Sequence, residues 1–121
     1  VPKPLWERHV PTDEKNRIAM SLHCPLAEDG KEAVLVDTGL GERLSEKERA
    51  IYRVDRQGGL RSRLAELQMD PEDVTHVVLT HLHFDHLGGA VVRDGAGRLP
   101  PAFPRAQPFV QGAELDTAPA P

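Results

Sequence analysis

The stretch THLHFDHLGG, residues 80–89, places three of this chain's six histidines and an aspartate within six positions. His81 and His83 are two apart. Residues at that spacing point the same way in an extended chain and nearly opposite ways on a helix. The two imidazoles can therefore share a cation only if the segment is extended. Asp85 and His86 are adjacent and meet only if the chain turns, and Gly88-Gly89 makes a sharp turn cheap. Two donors on one side and two round a bend suit a pair of metal ions better than one. Imidazole and carboxylate without thiolate fit zinc, with iron or manganese as alternatives. Structural zinc sites are closed and cysteine-rich, and this cluster is neither, so an open catalytic site is expected. Two cations about 3.5–4 Å apart acidify a bridging water and polarise a carbonyl or phosphoryl oxygen. The implied reaction is hydrolysis by metal-held hydroxide. A polar loop without chemistry is the competing reading. It loses on rarity, since the pattern arises by chance on the order of once in a thousand chains of this composition.

The other candidates are weaker. His9, His23 and His76 are isolated and read as ordinary polar residues. Cys24 reads as a small core residue. Trp6 and Tyr52 fit core or lid packing at least as well as a pocket wall.

Elements must deliver the cluster. HVVLT (76–80) is a buried strand, so His81 leaves it extended. Asp70-Pro71 ahead of it supplies an N-cap and a first-turn proline for a short helical turn. Upstream, RIAMSLHCPL (17–26) alternates, with Ile18, Met20, Leu22 and Cys24 on one side, and reads as a half-buried strand. Pro25 weakens its far end. EDGKE (28–32) is a turn and AVLVD (33–37) completes a hairpin. DTGLG (37–41) breaks the strand. Ser45 and Glu48 form a capping box for a helix reaching about Val54. LRSRLAEL (60–67) sets Leu60, Leu64 and Leu67 on one helical face. DGAG (94–97) is a turn, and residues 101–111 are a proline-punctuated loop entering a short strand. Residues 1–16 read as an irregular lead-in and 117–121 as a Pro/Ala tail. The mixture predicts α/β (α+β) layering.

Bulk properties narrow the class. A chain of 121 residues supports one small domain. Charged residues make up 28% of it and the net charge is −4, with no basic stripe, so no nucleic-acid face is expected. No apolar run approaches a membrane span. A single cysteine cannot form an internal disulfide, which favours a reducing, cytoplasmic setting. The chain opens with Val1 rather than Met, so the lack of a leader at this end carries little weight.

The THxHxDHxGG form of residues 80–89 resembles the signature of the metallo-β-lactamase fold superfamily. VLVDTGLG (34–41) resembles that family's strand ending in an aspartate and glycine turn, and DPEDVTHVVLTHLH (70–83) its turn and strand leading to the histidines. Phe84 in HFDH, with FPRAQPFVQGAE (103–114), is similar to the branch of N-acyl-homoserine lactonases and methyl-parathion-hydrolase-like enzymes. The resemblance implies an αββα sandwich, of which this chain is about the first half. It implies His81 and His83 on a first metal and Asp85 and His86 on a second. Asp37 then orients ligands from behind without binding metal, since ligating imidazoles need an acceptor for their other N–H. Asp85 is the expected proton-handling residue when an ester or lactone of a small-molecule substrate opens. Two zinc ions per complete domain are implied.

The family's second half brings a further histidine, a bridging aspartate and a last histidine. No histidine follows His86 here, and only Asp94 and Asp116 follow as aspartates. Half a sandwich leaves one apolar sheet face uncovered, and two ligands per metal fall short of the usual three. Weak metal binding and little activity are expected of these residues alone. A single-iron persulfide dioxygenase, a glyoxalase II-type thioesterase and a non-enzymatic truncated product remain open as alternatives.

Overall fold

The computed structural model describes residues 2–55 and 59–118. Four short strands form one sheet in sequence order: β1 (Leu26–Glu28), β2 (Ala33–Val36), β3 (His76–Leu79) and β4 (Gln107–Val110). β1 pairs antiparallel with β2, as a hairpin requires, and Asp29 closes the turn by accepting the Lys31 and Glu32 amides. β2, β3 and β4 run parallel, with Leu35 opposite Val77 and Val77 opposite Pro108. Their carboxyl ends therefore lie side by side. Open parallel sheets carry their sites at this edge. Asp37 follows β2 and Thr80-His81 follows β3, while β4 leads through Gln111 into α5 (Gly112–Thr117).

One sheet face makes the core. Ala33, Leu35, Val77 and Leu79 are buried beneath Leu64, Val74, Ala102 and Phe103. Leu64 comes from α3 (Leu60–Glu66). The other face, with Val34, His76, Val78 and Phe109, stays open, and Phe109 is 49% exposed. This is the uncovered face expected of one layer of a sandwich.

Local chemistry explains most elements. α2 (Glu46–Tyr52) starts on the expected capping box: Ser45 Oγ accepts the Glu48 amide, while the Glu48 carboxylate accepts the Ser45 amide. It ends at Arg53, left-handed at φ 49. Arg17 covers that end by donating to the Ala50 and Ile51 carbonyls at 2.8 and 3.0 Å. Asp13 holds Arg17 in turn, and the surrounding amides and guanidinium pull the Asp13 carboxyl down to about 2.

Four expectations need correction. Residues 17–25 form no strand; Ile18 makes a single bridge with Thr12, and pairing begins only at Leu26. Met20 is 76% exposed and Leu22 41%, so of the alternating face only Cys24 reaches the core. The lead-in is partly ordered, since Lys3–Trp6 forms the one-turn helix α1 with Pro4 in its first turn. The face Leu60-Leu64-Leu67 is cut short, because α3 stops at Glu66 and leaves Leu67 62% exposed. Thr117 belongs to α5, not to the tail. The rest of that tail, residues 119–121, lies outside the described residues.

Candidate metal centre

β3 ends at Leu79 and the chain continues without regular structure through Leu82. His83 is extended, at φ −70 and ψ 150, and serves as N-cap of α4 (Phe84–Leu87). The bend that brings Asp85 and His86 round is thus a helical turn. Gly88 has φ −56, so it does not supply the turn. Its role is close packing: a Cβ there would lie 2.3 Å from the Leu40 carbonyl oxygen. The 37–41 turn and the 86–89 segment are locked together by Thr38, whose amide and hydroxyl both donate to the His86 carbonyl at 2.7 and 2.8 Å. Gly89 N donates back to the Gly39 carbonyl at 3.1 Å.

Asp37 sits at the centre of the support. It is 6% exposed and adopts φ 58, a left-handed conformation that aspartate tolerates better than most residues. Its carboxylate accepts the Thr80 amide at 2.8 Å, the Thr80 hydroxyl at 2.8 Å and the His86 Nδ1–H at 2.8 Å. Burial pushes this carboxyl up, but the hydrogen bonds from His86 and Thr80 outweigh it and hold it below the ordinary aspartate value.

These contacts fix two imidazole tautomers. His86 donates its Nδ1 proton to Asp37, which leaves Nε2 as the ring nitrogen turned to the Asp85 side. Thr80 has one hydroxyl proton and gives it to Asp37. Toward His81 Nδ1, 3.0 Å away, Thr80 Oγ1 then accepts, which leaves Nε2 as the His81 nitrogen free of this contact. Asp37 therefore acts on one ring directly and on a second through a threonine.

The predicted donors gather in one place. The rings of His81 and His83 have centroids 4.6 Å apart, and those of His81 and His86 4.0 Å apart. Asp85 Oδ2 stands 3.5 Å from His86 Nε2. Two ligand atoms on one tetrahedral zinc stand roughly 3.3 Å apart, given bonds of about 2.0–2.1 Å. By type, imidazole and carboxylate are donors that zinc accepts. Among the described residues, no group of three or more His, Cys, Asp or Glu is arranged so that it could hold a metal ion.

The remaining polar candidates are accounted for locally. Asp94 is a turn residue, held low first by the Arg98 guanidinium. His76 Nδ1 meets the Thr75 hydroxyl at 2.8 Å on the open sheet face. Cys24 is half-buried against the Gly39 turn, and burial, then the nearby Asp37 charge, pushes its thiol up, away from reactivity.

Comparison with known proteins agrees with this geometry. The sequence profile of the Metallo-beta-lactamase superfamily matches residues 23–102. The chain belongs to that superfamily. It is 29% identical over 113 residues to an N-acyl homoserine lactonase of Bacillus cereus, aligning 85% of this chain with 41% of the relative. It is 36% identical over 105 residues to a metallo-hydrolase of Mycobacterium tuberculosis, aligning 80% with 31%. Among solved structures, a metal-dependent hydrolase from Staphylococcus aureus superposes with a TM-score of 0.82 at 34% identity, over 96% of this chain and 41% of that one. AidC, a dizinc quorum-quenching lactonase solved with a product, gives 0.59 at 31% identity, over 80% and 29%. The chain thus spans about two fifths or less of these relatives' lengths. No described helix is long and apolar enough to cross a membrane.

Two supporting residues escaped the sequence reading. Thr80 adjoins the first histidine, and its hydroxyl gave a local hint. Glu114 reaches the histidine segment from 32 positions away with no local signal.

Proposed function

We propose that the full-length protein is a metal-dependent hydrolase of the lactonase-like branch, acting on a small ester or lactone, with His81, His83, Asp85 and His86 holding metal. The observation that carries this reading is the buried Asp37 carboxylate, 2.8 Å from His86 Nδ1 and 2.8 Å from the Thr80 hydroxyl, which itself lies 3.0 Å from His81 Nδ1. Such acceptor-bound histidines are the usual form of ligating imidazole. The dizinc character of AidC and the lactonase named in Bacillus cereus support zinc and a cyclic ester. Bound zinc ions supply Lewis acidity at the carbonyl oxygen and lower the pKa of a water. The chain's own residues do the rest. Asp37 and Thr80 hold the Nδ1 side of the His86 and His81 rings and so aim their Nε2 atoms. Asp85 faces the same gap and holds a proton from the attacking water. As the carbonyl carbon gains its new C–O bond, the ring C–O bond breaks, and the departing alkoxide takes that proton to give a hydroxy acid.

The test uses full-length protein. Elemental analysis should give two zinc ions per chain, and a panel of lactone, thioester and phosphodiester substrates should show lactone opening. H81A and H86A should each lower kcat/KM by at least a hundredfold. One iron per chain, with oxygen consumed on glutathione persulfide, would replace this reading with a dioxygenase. Metal-free protein of full activity would end it.

A further inference from the structure

The segment carrying His81 and His83 leaves β3 with its peptide groups outside the sheet ladder. Between the two histidines, the Leu82 amide donates to Glu114 Oε2 at 3.1 Å. Leu82 turns its side chain toward the core, so the flanking imidazoles are directed away from it. Glu114 stands in the first turn of α5, immediately after β4. Three adjacent parallel strands thus each send a polar side chain to the same loop. Asp37, past β2, fixes His86 and Thr80. Thr80, past β3, fixes His81. Glu114, past β4, pins the peptide that joins His81 to His83.

We infer that Glu114 is a positioning residue for the metal centre, setting the separation of the His81 and His83 rings through the Leu82 amide. The inference rests on the metal-binding reading above. An extended dipeptide spacing brings two rings to one side but leaves the backbone free to rotate between them. A hydrogen bond to the middle amide removes that freedom. A carboxylate suits the task, since it accepts without offering a proton that would compete for imidazole nitrogen. The Glu114 hydrogen bond is to backbone, so its effect on the rings passes through the Leu82 peptide.

The prediction is specific. In the full-length protein, E114A weakens zinc binding about 10–100-fold in a competition titration with a chromophoric chelator, the range usual for supporting residues. It also alters the visible d–d bands of the cobalt(II)-substituted protein, because the ligand angle changes. E114Q, whose amide oxygen can accept the same N–H, stays within about threefold of wild type by the same measure. E66A removes a carboxylate from the exposed face of α3 and serves as a control with wild-type affinity and spectrum. If E114A does not fold, E114D carries the comparison, its carboxylate one methylene short of Leu82. Wild-type affinity and an unchanged cobalt spectrum in E114A (or E114D) would overturn the inference, as would E114Q behaving no better than alanine. Failure of the wild-type protein to bind metal would instead sink the functional reading beneath it.

Discussion

At the scale of single residues, the candidate centre depends on its donors and also on what holds their second nitrogens. Thr80 is the sharpest case, because its hydroxyl bridges Asp37 and His81 at 2.8 and 3.0 Å. T80S keeps the bridge and should keep zinc affinity. T80V keeps the shape, loses the bridge and should bind about tenfold more weakly or worse, at the low end of the supporting-residue range. Equal affinity in the two variants would show that His81 needs no relay. D37N is a harsher change. Asparagine tolerates the left-handed backbone, but it brings N–H donors to a site where three donors already converge. We expect about 10–100-fold weaker zinc binding in the same titration. The donors themselves were legible in the sequence because all four fall within residues 81–86. Glu114 was not, because its partner lies 32 positions away, and Thr80 was only in part, because it adjoins His81 but its Asp37 partner lies 43 positions away.

At the scale of elements, the site is a junction between two backbone segments packed without room for a side chain. G88A would place a methyl 2.3 Å from the Leu40 oxygen and 2.5 Å from the Phe84 oxygen. Both neighbours are backbone, so the 37–41 turn and α4 must separate. G95A meets nothing within 4 Å. Thermal unfolding should show G88A strongly destabilised with depleted metal content, and G95A nearly neutral. The Asp13–Arg17 brace under α2 gives a pH signature. The folded Asp13 carboxyl is depressed to about 2, below its unfolded value near 3.8. Its stabilising contribution is therefore complete above the unfolded value and is lost as pH falls through that interval. D13N should flatten the acid limb of the stability curve between those values, and an unchanged limb would show the brace to be inert. The capped helix, the 28–32 turn and β3 were readable because caps, turns and apolar runs are local signals. Residues 17–25 misled because alternation reports a two-sided segment, not whether a strand exists to pair with it. The glycines misled for a related reason: Gly88 marks a close approach that only the assembled fold reveals.

At the scale of the whole molecule, the question is how much of the metal site the fold supplies. All four candidate donors lie in residues 81–86, so on the proposed reading an unfolded chain retains them and should bind some metal. A ligand stabilises a protein only by its preference for the native state. For a metal at a hundred times its dissociation constant, with no unfolded binding, that amounts to about 2.7 kcal/mol. Binding to the unfolded segment reduces the figure. What the native state adds is orientation, through Asp37 at 49 positions from His86 and through Glu114 beyond β4. The increment in unfolding free energy on adding zinc to the full-length protein should therefore shrink in D37N and E114A. A peptide spanning residues 80–89 should bind with the same weak affinity in every case, since it lacks both residues. If the zinc increment is instead identical in wild type, D37N and E114A, the histidine segment binds as a free strand of ligands. The three parallel strand ends would then have no part in building the site.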